Sequence, residues 1–360
     1  MSARIVFVGL SGGVDSSVAA WLLKEQGFDV TGVHLRLWES PDPKAVEEKA
    51  LKLKAVTEIL GIPMRILDWR ENFRRNVVGH YLEALKRGLT PNPCVTCNRL
   101  FKWGQLLAYA RSEGADQVAS GHYARLARQP DGSVILRMAK DRSKDQSYFL
   151  SALPQNVFQG MNLPLAELSK HEVREIANRL GLAEGLSQES EDLCFLEGSD
   201  QAAFLREHAK NLLVSGPIYD SAGVLLGQHQ GLPLYTIGQR KGIRIAAAKP
   251  YYVLQKDIRQ NALIVGFVEE LAFNRVETRG TNWVSGFAPD LEKSYQFKMR
   301  STSKLLQGNC LLDEKGDIIA VLDDAARNIT PGQRLVVYDG DACLGGAEII
   351  KAKYQNKETE

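Results

Sequence analysis

Through about residue 207, short apolar runs alternate with longer segments in which apolar residues recur at helical spacing. Runs such as RIVFVG, DVTGVHLRLW, MRILDW and DQVASGHYARL predict strands. The segments between them predict helices, including one from Ser16 to Glu25 and others over KAVEEKALKLKAVTEILG, NVVGHYLEALKRG and GQLLAYARSEG. Strands that alternate with helices at this spacing indicate a doubly wound parallel sheet. We therefore predict an α/β domain over residues 1–207.

After AAFLREHAK the pattern changes to short runs punctuated by glycine, among them GPIYDSAGVLLG, LPLYTIGQRKGIRI, PYYVLQKDI and NALIVGFV. These runs predict a small central β-rich domain over residues 208–275. A further series, from RVETRGTNWV through GQRLVVYDG to AEIIKAKY, has turn residues at regular intervals. This regularity predicts a C-terminal β-barrel or sandwich over residues 276–360.

The composition limits the class of protein. Of the 360 residues, 44% are hydrophobic and 24% are charged, and the formal net charge is +2. Such a chain is long enough for two or three folded cores, and any nucleic-acid surface on it must be a local patch. The N-terminal run lacks signal-peptide features, and no apolar run approaches the ~18 residues of a membrane span. We expect a cytoplasmic protein with no membrane partner.

The stretch FVGLSGGVDSSVAAWLL places glycines, serines and an aspartate between a predicted strand and a predicted helix. A tight turn there directs backbone N–H groups into one concavity at the helix N-terminus, which favours a phosphate group. Gly12 and Gly13 allow close approach to the backbone, the serines add hydroxyl donors, and Asp15 can hold Mg²⁺ on phosphate oxygens. No lysine follows the glycines, so this is not a Walker A loop. An ordinary capped turn is the alternative.

A second motif, TPNPCVTCNRLFKW, contains Cys94 and Cys97. Its two prolines restrict the residues before them to extended conformations, so we predict an ordered loop that projects both cysteines. A C-x-x-C pair in a reducing compartment is typical of a metal site or a redox pair. No second C-x-x-C is present to complete a four-ligand zinc site, which makes zinc the weaker interpretation.

The chain has five cysteines, an odd count in a protein expected in a reducing compartment, which argues against a structural disulfide framework. Cys194 lies in SQESEDLCFL, after the acidic run Glu189, Glu191 and Asp192. A cysteine between leucine and phenylalanine is, on its own, more often a buried small hydrophobe than a nucleophile. The same interpretation applies to Cys310 and Cys343.

The string SGGVDSS after a first apolar strand resembles the PP-loop of the N-type ATP pyrophosphatases. A larger set of strings, in order and spacing across nearly the whole chain, resembles the tRNA-specific 2-thiouridylases of the bacterial MnmA type. These strings are GLSGGVDSS, TPNPCVTCNRLFKWG, SGHYAR, KDQSYFL, SQESEDLCFL, YTIGQRKGI and TPGQRLVVYDG. The resemblance implies an α/β PP-loop domain (adenine nucleotide alpha hydrolase-like), a small central β-domain and a C-terminal β-barrel.

The resemblance also implies an ATP site and a reaction. ATP-binding residues would be Gly9, Leu10, Ser11, Gly12, Gly13, Val14, Asp15, Ser16, Leu35 and Gly121, with Mg²⁺ held at Asp15. ATP would adenylate the oxygen at C2 of the wobble uridine, position 34, of Lys, Glu and Gln tRNAs. Sulfur from a cysteine desulfurase or a sulfur relay protein would then be carried as a persulfide on Cys194. Cys97 would complete the exchange as nucleophile, ending in a Cys97–Cys194 disulfide.

The residues that would bind tRNA follow from the same resemblance. They are Asn92, Pro93, Cys94, His122, Lys144, Asp145, Gln146, Arg300, Ser301 and Gln333, with the first three in a loop that holds the flipped base. The segment KMRSTSKLLQG lacks the family's usual aromatic after its arginine. Arg99, Lys102, Arg240 and Lys241 are further cations that could bind phosphates, although a surface cation is by default only solvated.

One position departs from the commoner family pattern, because Cys94 stands where that pattern has the aspartate of NPD. Cys94 is either a tolerated variant or, with Cys97 and Cys194, a ligand of a 4Fe-4S cluster whose open iron delivers sulfide. Two other classes stay open on the residues alone. Another PP-loop ligase would need neither Cys97 nor Cys194, and an RNA-binding module with a zinc knuckle would leave SGGVDSS without a purpose.

Overall fold

The computed structural model of the chain describes residues 4–40, 42–182, 193–196, 198–327 and 329–353. The acidic run before Cys194, singled out above, lies outside the described residues. Within the described part of the chain, the helices include none that is both long enough and apolar enough to cross a membrane.

Within the first 210 residues, the part that the structure describes contains seven strands and most of the helices. The strands are β1 (Ile5–Gly9), β2 (Asp29–Arg36), β3 (Met64–Asp68), β4 (Gln117–Ala119), β5 (Ala124–Arg128), β6 (Val134–Met138) and β7 (Met161–Asn162). The α-helices are α1 (Val14–Glu25), α2 (Pro43–Leu60), α3 (Arg70–Phe73), α4 (Gly79–Lys86), α5 (Pro93–Cys97), α6 (Leu106–Ser112), α7 (Ser147–Leu150), α8 (Gln155–Phe158), α9 (Lys170–Arg179) and α10 (Gln201–His208). Two π-helices are π1 (Arg74–Val78) and π2 (Asn98–Gln105).

Five strands form a parallel sheet in the order β3-β2-β1-β4-β7. The central strand β1 is buried on both faces, with Val6, Phe7 and Val8 at most 2% exposed, because helices cover both sides of the sheet. The carboxyl ends of β2, β1 and β4 lie side by side where the strand order reverses, which is where such sheets bind ligands. The predicted α/β parallel-sheet domain is confirmed, and α1 begins two residues before the predicted Ser16.

Two elements differ from the sequence prediction. The run DQVASGHYARL does not form one strand: β4 stays in the parallel sheet, whereas β5 and β6 form a hairpin that joins the C-terminal sheet through β17. The prediction of a loop over TPNPCVTCNRLFKW is wrong from Pro93 onward, because that segment is helical. Proline at the first position of α5 has a backbone angle suited to a helix start and lacks the N–H that a helix start leaves unpaired.

The central part of the chain forms a four-stranded sheet in the order β10-β11-β8-β9. Its strands are β8 (Gly216–Asp220), β9 (Leu225–His229), β10 (Tyr252–Asp257) and β11 (Ala262–Gly266), and short 3₁₀ turns cover Lys210–Leu212, Leu232–Leu234 and Val268–Leu271. Ile218, Val253, Leu263 and Val265 are fully buried and form its core.

The C-terminal strands are β12 (Phe273–Trp283), β13 (Ser294–Lys298), β14 (Leu306–Leu312), β15 (Ile318–Ala326), β16 (Arg334–Asp339) and β17 (Ala342–Lys353). They pair in the order β12-β15-β14-β13-β16-β17, and a β12–β17 pairing closes the barrel. Its interior is filled by side chains that include Phe297 and Cys310, both fully buried. The predicted C-terminal β-barrel is confirmed.

Candidate active site

The loop between β1 and α1 leaves the N-terminus of α1 open. Gly13 is the N-cap residue and no side chain caps the helix. Ser16 and Ser17 each donate their hydroxyl to the carbonyl oxygen of Gly13 at 3.0 Å, and Gly12 adopts φ +83°, a left-handed conformation that suits glycine. The serine hydroxyls therefore shape the loop, while backbone N–H groups at the helix end stay available for an anion.

Asp15, in the first turn of α1, forms a partly buried ion pair that sequence reasoning missed. Lys170 Nζ lies 2.6 Å from Oδ1 and 2.8 Å from Oδ2 of Asp15, and the Tyr123 hydroxyl donates to Oδ1 at 2.8 Å. Lys170 begins α9 and is 7% exposed. The S-x-x-E capping box of Ser169 and Glu172 marks this helix start in the sequence, but only the fold brings Lys170 to Asp15.

Gly121 and Leu35, predicted to contact the nucleotide, lie beside this loop. A Cβ at Gly121 would approach the carbonyl carbon of Asp15 to 2.6 Å and the nitrogen of Ser16 to 2.7 Å, so the two backbones are in contact. Leu35 lies near the carboxyl end of β2 and is half-buried against the core. Gly121 therefore has a steric reason to be glycine, since any side chain would displace the loop between β1 and α1. This loop, which the sequence predicts to bind phosphate, is called the phosphate loop below.

His122 links the nucleotide end of the site to the cysteine helices. Its Nδ1 lies 2.7 Å from Ser120 Oγ, and its ring centroid is 5.6 Å from that of Trp103 in π2. Burial, reinforced by the positive charge of Lys102, lowers the pKa of His122 to about 3. The imidazole is therefore neutral at physiological pH.

Cys94 and Cys97 lie on α5, whose last residue leads directly into π2. Cys97 is 5% exposed, and burial raises the pKa of its thiol to about 12, while Lys102 acts in the opposite direction. Burial also raises the pKa of Cys94, again opposed by Lys102. The structure brings these thiols into one environment with Cys194, because the charges of Cys194 and Cys94 each raise the pKa of Cys97.

Cys194 itself is exposed, while its neighbour Phe195 is buried at 3% exposure. The Phe195 ring packs against Tyr81 at 5.2 Å, Phe204 at 5.1 Å and Trp38 at 6.1 Å between centroids. The surrounding protein raises the pKa of the Cys194 thiol by burial, with Lys102 opposing. A thiol that solvent reaches but that protein largely surrounds lies in a cleft, and Phe195 fixes its backbone there.

All five cysteines are free thiols, so the disulfide implied by the resemblance stays a prediction for a later state of the reaction. Cys310 and Cys343 are 0% and 1% exposed, as expected of buried small side chains. Burial raises the pKa of Cys310 to about 11 and that of Cys343 to about 12, and neither thiol takes part in the site described above.

The KDQ segment predicted to contact tRNA has internal partners. The backbone N–H of Tyr123 donates to Gln146 Oε1 at 3.0 Å, and the Asp145 carboxylate accepts from the backbone of Ala139 at 2.9 Å and from Ser147 Oγ at 2.8 Å. Gln146 thus holds the residue that contacts Asp15. Lys144 precedes this pair and is half-buried.

Gln333, also predicted as a tRNA contact, fastens the segment before α5 to the barrel. Its Nε2 donates to the carbonyl oxygen of Thr90 at 2.7 Å, and the Thr90 N–H donates to Pro331 at 2.9 Å. From the central sheet, Lys256 Nζ reaches the carbonyl oxygen of Leu89 at 3.5 Å. The segment that leads to Asn92 and Pro93 is therefore held by both β-domains.

The remaining predicted contacts lie around this junction or on the surface. Arg300 donates to Thr330 Oγ1, its Nε is buried without a partner within the described residues, and burial lowers its pKa. Ser301 is half-buried beside it. The candidate phosphate-binding cations Arg99, Lys102, Arg240 and Lys241 are all exposed.

The fit of the expected metals can be judged from the donors present. Among the hydrogen bonds described, Lys170 and Tyr123 use three of the roughly four acceptor positions of the Asp15 carboxylate, which leaves one on Oδ2. A single carboxylate oxygen together with substrate phosphates suits Mg²⁺. Within the described residues, no group of three or more His, Cys, Asp or Glu side chains is arranged to hold a metal ion, so the 4Fe-4S cluster has no support here.

Three family models match successive parts of the chain. The tRNA methyl transferase HUP domain matches residues 4–198, the tRNA methyl transferase PRC-barrel domain matches residues 202–267, and the Aminomethyltransferase beta-barrel domain matches residues 274–349. These spans follow the same order as the parallel sheet, the central sheet and the barrel. The fold and the loop at α1 define a nucleotide-binding enzyme of the PP-loop class.

Individual relatives match the full length. The tRNA-specific 2-thiouridylase MnmA of Roseiflexus sp. (strain RS-1) is 40% identical over 369 residues, covering 96% of this chain and 99% of that protein. The protein of the same name from Moorella thermoacetica is 40% identical over 352 residues, covering 95% and 98%. The chain belongs to the tRNA-specific 2-thiouridylase family, which confirms the predicted family and enzyme class, a tRNA-uridine 2-sulfurtransferase.

The solved structures that match the chain are more distant. A 4-thiouridine synthetase in complex with RNA and bound ATP is 19% identical and covers 51% of this chain and 42% of that chain, with a TM-score of 0.30. A predicted subunit of tRNA methyltransferase from Methanocaldococcus jannaschii is 19% identical, covers 49% and 74%, and has a TM-score of 0.32.

Proposed function

We propose that the protein exchanges oxygen for sulfur at C2 of the wobble uridine, position 34, of the tRNAs for Lys, Glu and Gln, using ATP and a persulfide. Family membership supports the substrate class. The arrangement of the phosphate loop and two thiols of opposite exposure supports the two halves of the reaction.

In the first half, the uridine oxygen attacks the α-phosphate of ATP. An O–P bond forms, the bond from the α-phosphorus to the bridging oxygen breaks, and pyrophosphate leaves. The open N-terminus of α1 would hold the pyrophosphate, and Lys170 would stabilise its developing charge. Mg²⁺, held at Asp15, would add positive charge at the phosphates when bound.

In the second half, the terminal sulfur of a Cys194 persulfide bonds to C2, and AMP leaves with the former uridine oxygen. The Cys97 thiolate then attacks Cys194 Sγ, which breaks the S–S bond, leaves sulfur on the uridine and forms a Cys97–Cys194 disulfide. A dithiol reductant must regenerate both thiols before the next turnover. The donor would be a cysteine desulfurase or a sulfur relay protein.

The observation that carries this proposal is the difference between the two thiols. Cys194 is exposed and can receive sulfur from another protein. Cys97 is only 5% exposed, so a donor protein cannot reach its thiol directly. Their charges nevertheless interact, because Cys194 raises the pKa of Cys97. An accessible carrier beside a protected nucleophile is the arrangement that the two-step sulfur transfer requires.

Contacts with tRNA are proposed for Asn92 and for the first residues of α5, Pro93 and Cys94, which would hold the flipped base. His122 and Lys144, together with Asp145 and Gln146, would contact tRNA from the side of the phosphate loop. Arg300, Ser301 and Gln333 would do so from the barrel. Because Gln333 and Gln146 also fasten neighbouring residues, their substitution would weaken tRNA binding partly by loosening the site.

The test is mass spectrometry of tRNA nucleosides after incubation with ATP, a cysteine desulfurase and cysteine. The expected result is 2-thiouridine, formed only when ATP is present. ATP turnover into a nitrogen-containing product with no thiolated nucleoside would instead indicate another PP-loop ligase. An absence of any ATP turnover with tRNA would contradict the proposal altogether.

A further inference from the structure

The helix that follows Cys97 is wound more widely than an α-helix. π2 spans Asn98–Gln105, and Cys97 is its N-cap residue. In a π-helix the backbone repeat joins residues five apart, so Lys102 lies one turn above Cys97. In an α-helix, with 3.6 residues per turn, residues five apart would point about 140° from one another. The π-helical winding is thus what turns Lys102 towards the thiols.

Gly104 permits this winding. A Cβ at Gly104 would lie 2.5 Å from the carbonyl oxygen of Arg99, five residues earlier, which is closer than real Cβ contacts allow. The glycine therefore has a specific role in the wide turn that contains Lys102. Single π turns within helices occur frequently at functional sites.

Lys102 also interacts electrostatically with all three thiols of the site. Protein around the ammonium group partly desolvates it and lowers the pKa of Lys102, but the charges of Cys97, Cys94 and Cys194 together raise that pKa above its ordinary value. In return, Lys102 opposes the effect of burial on each thiol, and it acts on Cys194 more strongly than Lys49 of α2 does. Its side chain is exposed, so it faces the cleft rather than the core.

We propose that Lys102 is the counter-ion that attracts the persulfide anion of the sulfur donor and then holds the persulfide anion formed on Cys194, next to Cys97. It is a positioning residue, and the role deepens the proposed function, on which it rests. The donor approaches as a persulfide anion. The Cys194 thiolate bonds to the outer sulfur, the donor's S–S bond breaks, and the donor cysteine leaves as a thiolate. The persulfide formed on Cys194 is again an anion, and a cation that interacts with both cysteines attracts the first anion and stabilises the second. The exposed cleft at Cys194 would be the entry point.

The experiment measures the alkylation of Cys194 by two reagents, anionic iodoacetate and neutral iodoacetamide, with peptide mass spectrometry to resolve the site. Both reagents need the thiolate, so the ratio of their rate constants cancels the thiolate fraction and reports the local charge. Lys102→Gln should lower the iodoacetate-to-iodoacetamide ratio about fivefold, the effect of one unit charge at an ion-pair distance in water. Lys102→Arg should restore it.

Arg99→Gln is the matched control, because it removes another exposed cation of π2. Its ratio at Cys194 should equal that of the unaltered protein. Gly104→Ala should lower the ratio although Lys102 is still in the chain. Cys310, fully buried in the barrel, monitors folding, since it is alkylated only when the protein opens.

An unchanged ratio in Lys102→Gln would overturn the proposal, as would an equal fall in Arg99→Gln. If Lys102→Gln does not fold, the unaltered protein still gives a test. Raising the salt concentration should shrink its ratio towards that of a free thiol peptide, and a salt-independent ratio would refute a nearby cation. None of these measurements uses tRNA or ATP, so a failure here is distinct from a failure of the proposed thiolation.

Discussion

Lys170 Nζ bridges both carboxylate oxygens of Asp15, at 2.6 Å and 2.8 Å, and so joins α9 to the first turn of α1. The two residues are far apart in sequence, and both are held from other directions. Tyr123 donates to the same carboxylate, and the capping box of α9 fixes the helix end that carries Lys170. A buried cation is thereby held at the helix end expected to bind pyrophosphate.

Replacing Lys170 with methionine tests this cation. Lys170→Met keeps the length of the side chain but removes the charge that would stabilise pyrophosphate as it leaves. We expect tRNA-dependent pyrophosphate release to fall about 100-fold or more, the scale seen when one preorganised electrostatic contact is lost. Lys86→Met, at an exposed surface lysine, should release pyrophosphate at the normal rate. A normal rate in Lys170→Met would show that the lysine only supports the fold.

Sequence patterns predicted the elements of the site better than the contacts between them. The strand and turn of FVGLSGG and the regular turns after residue 276 are local features, and local patterns are sufficient for them. The contact between Lys170 and Asp15, and the addition of β5 and β6 to the barrel sheet, depend on pairings between distant segments. No local pattern contains that information.

The error at TPNPCVTCNRLFKW has a different physical origin. Proline disfavours helix for the residue before it and in a helix interior, whereas Pro93 stands at the first position of α5 and begins a helix instead of preventing one. Sequence patterns did not predict the π-helix of Asn98–Gln105 either, because it depends on the close approach of Gly104 to the carbonyl oxygen of Arg99. The sequence could place Cys94 and Cys97 near each other, but it could not show that Lys102 faces them.

Cys194→Ser should separate the two halves of the reaction. The phosphate loop is untouched, so tRNA-dependent pyrophosphate release should stay within about twofold of normal. Persulfide-dependent 2-thiouridine should disappear, because serine cannot carry the sulfur. Cys310→Ala, at a buried cysteine of the barrel, should still thiolate at a temperature where it is folded. Thiolation by Cys194→Ser with a cysteine desulfurase as sole donor would contradict the carrier role.

Phe195→Ala should release the backbone next to Cys194. Removal of this buried ring from its contacts with Tyr81, Phe204 and Trp38 should lower the free energy of unfolding by about 3–5 kcal/mol. Thiolation should fall more than pyrophosphate release does. Phe297→Ala removes a ring that is also buried, in the barrel core. It should lower the rates of thiolation and of pyrophosphate release by the same factor. Equal losses in Phe195→Ala would indicate general destabilisation only.

His122 should make the protein less stable in acid. The unfolded chain binds a proton at His122 near pH 6.5, whereas the folded chain does so only near its pKa of about 3. Between these values the unfolded state holds more protons, so the free energy of unfolding falls as the pH falls. The free energy of unfolding, measured with urea, should fall less between pH 7 and pH 4.5 in His122→Gln than in the unaltered protein, by about 2 kcal/mol. His171→Gln, at an exposed histidine, is the control; an unchanged loss in His122→Gln would contradict the burial effect.

Substitution of Cys94 distinguishes sulfur delivery by a persulfide from sulfur delivery by an iron-sulfur cluster. Its thiol shares the positive environment of Lys102 with Cys97 and Cys194, yet no group of the described residues is arranged to hold a metal ion. Proximity alone does not separate the routes, because a Cys97–Cys194 disulfide and a three-ligand cluster both require it.

We expect iron-free Cys94→Ala to retain at least about half of the persulfide-dependent thiolation, while Cys97→Ala loses it, since only Cys97 is needed to resolve the Cys194 persulfide. The protein should be purified anaerobically, supplied with iron and sulfide, and assayed for bound iron and for 2-thiouridine. A stoichiometric cluster that is lost in Cys94→Ala together with sulfide-dependent thiolation would replace the persulfide route with the cluster.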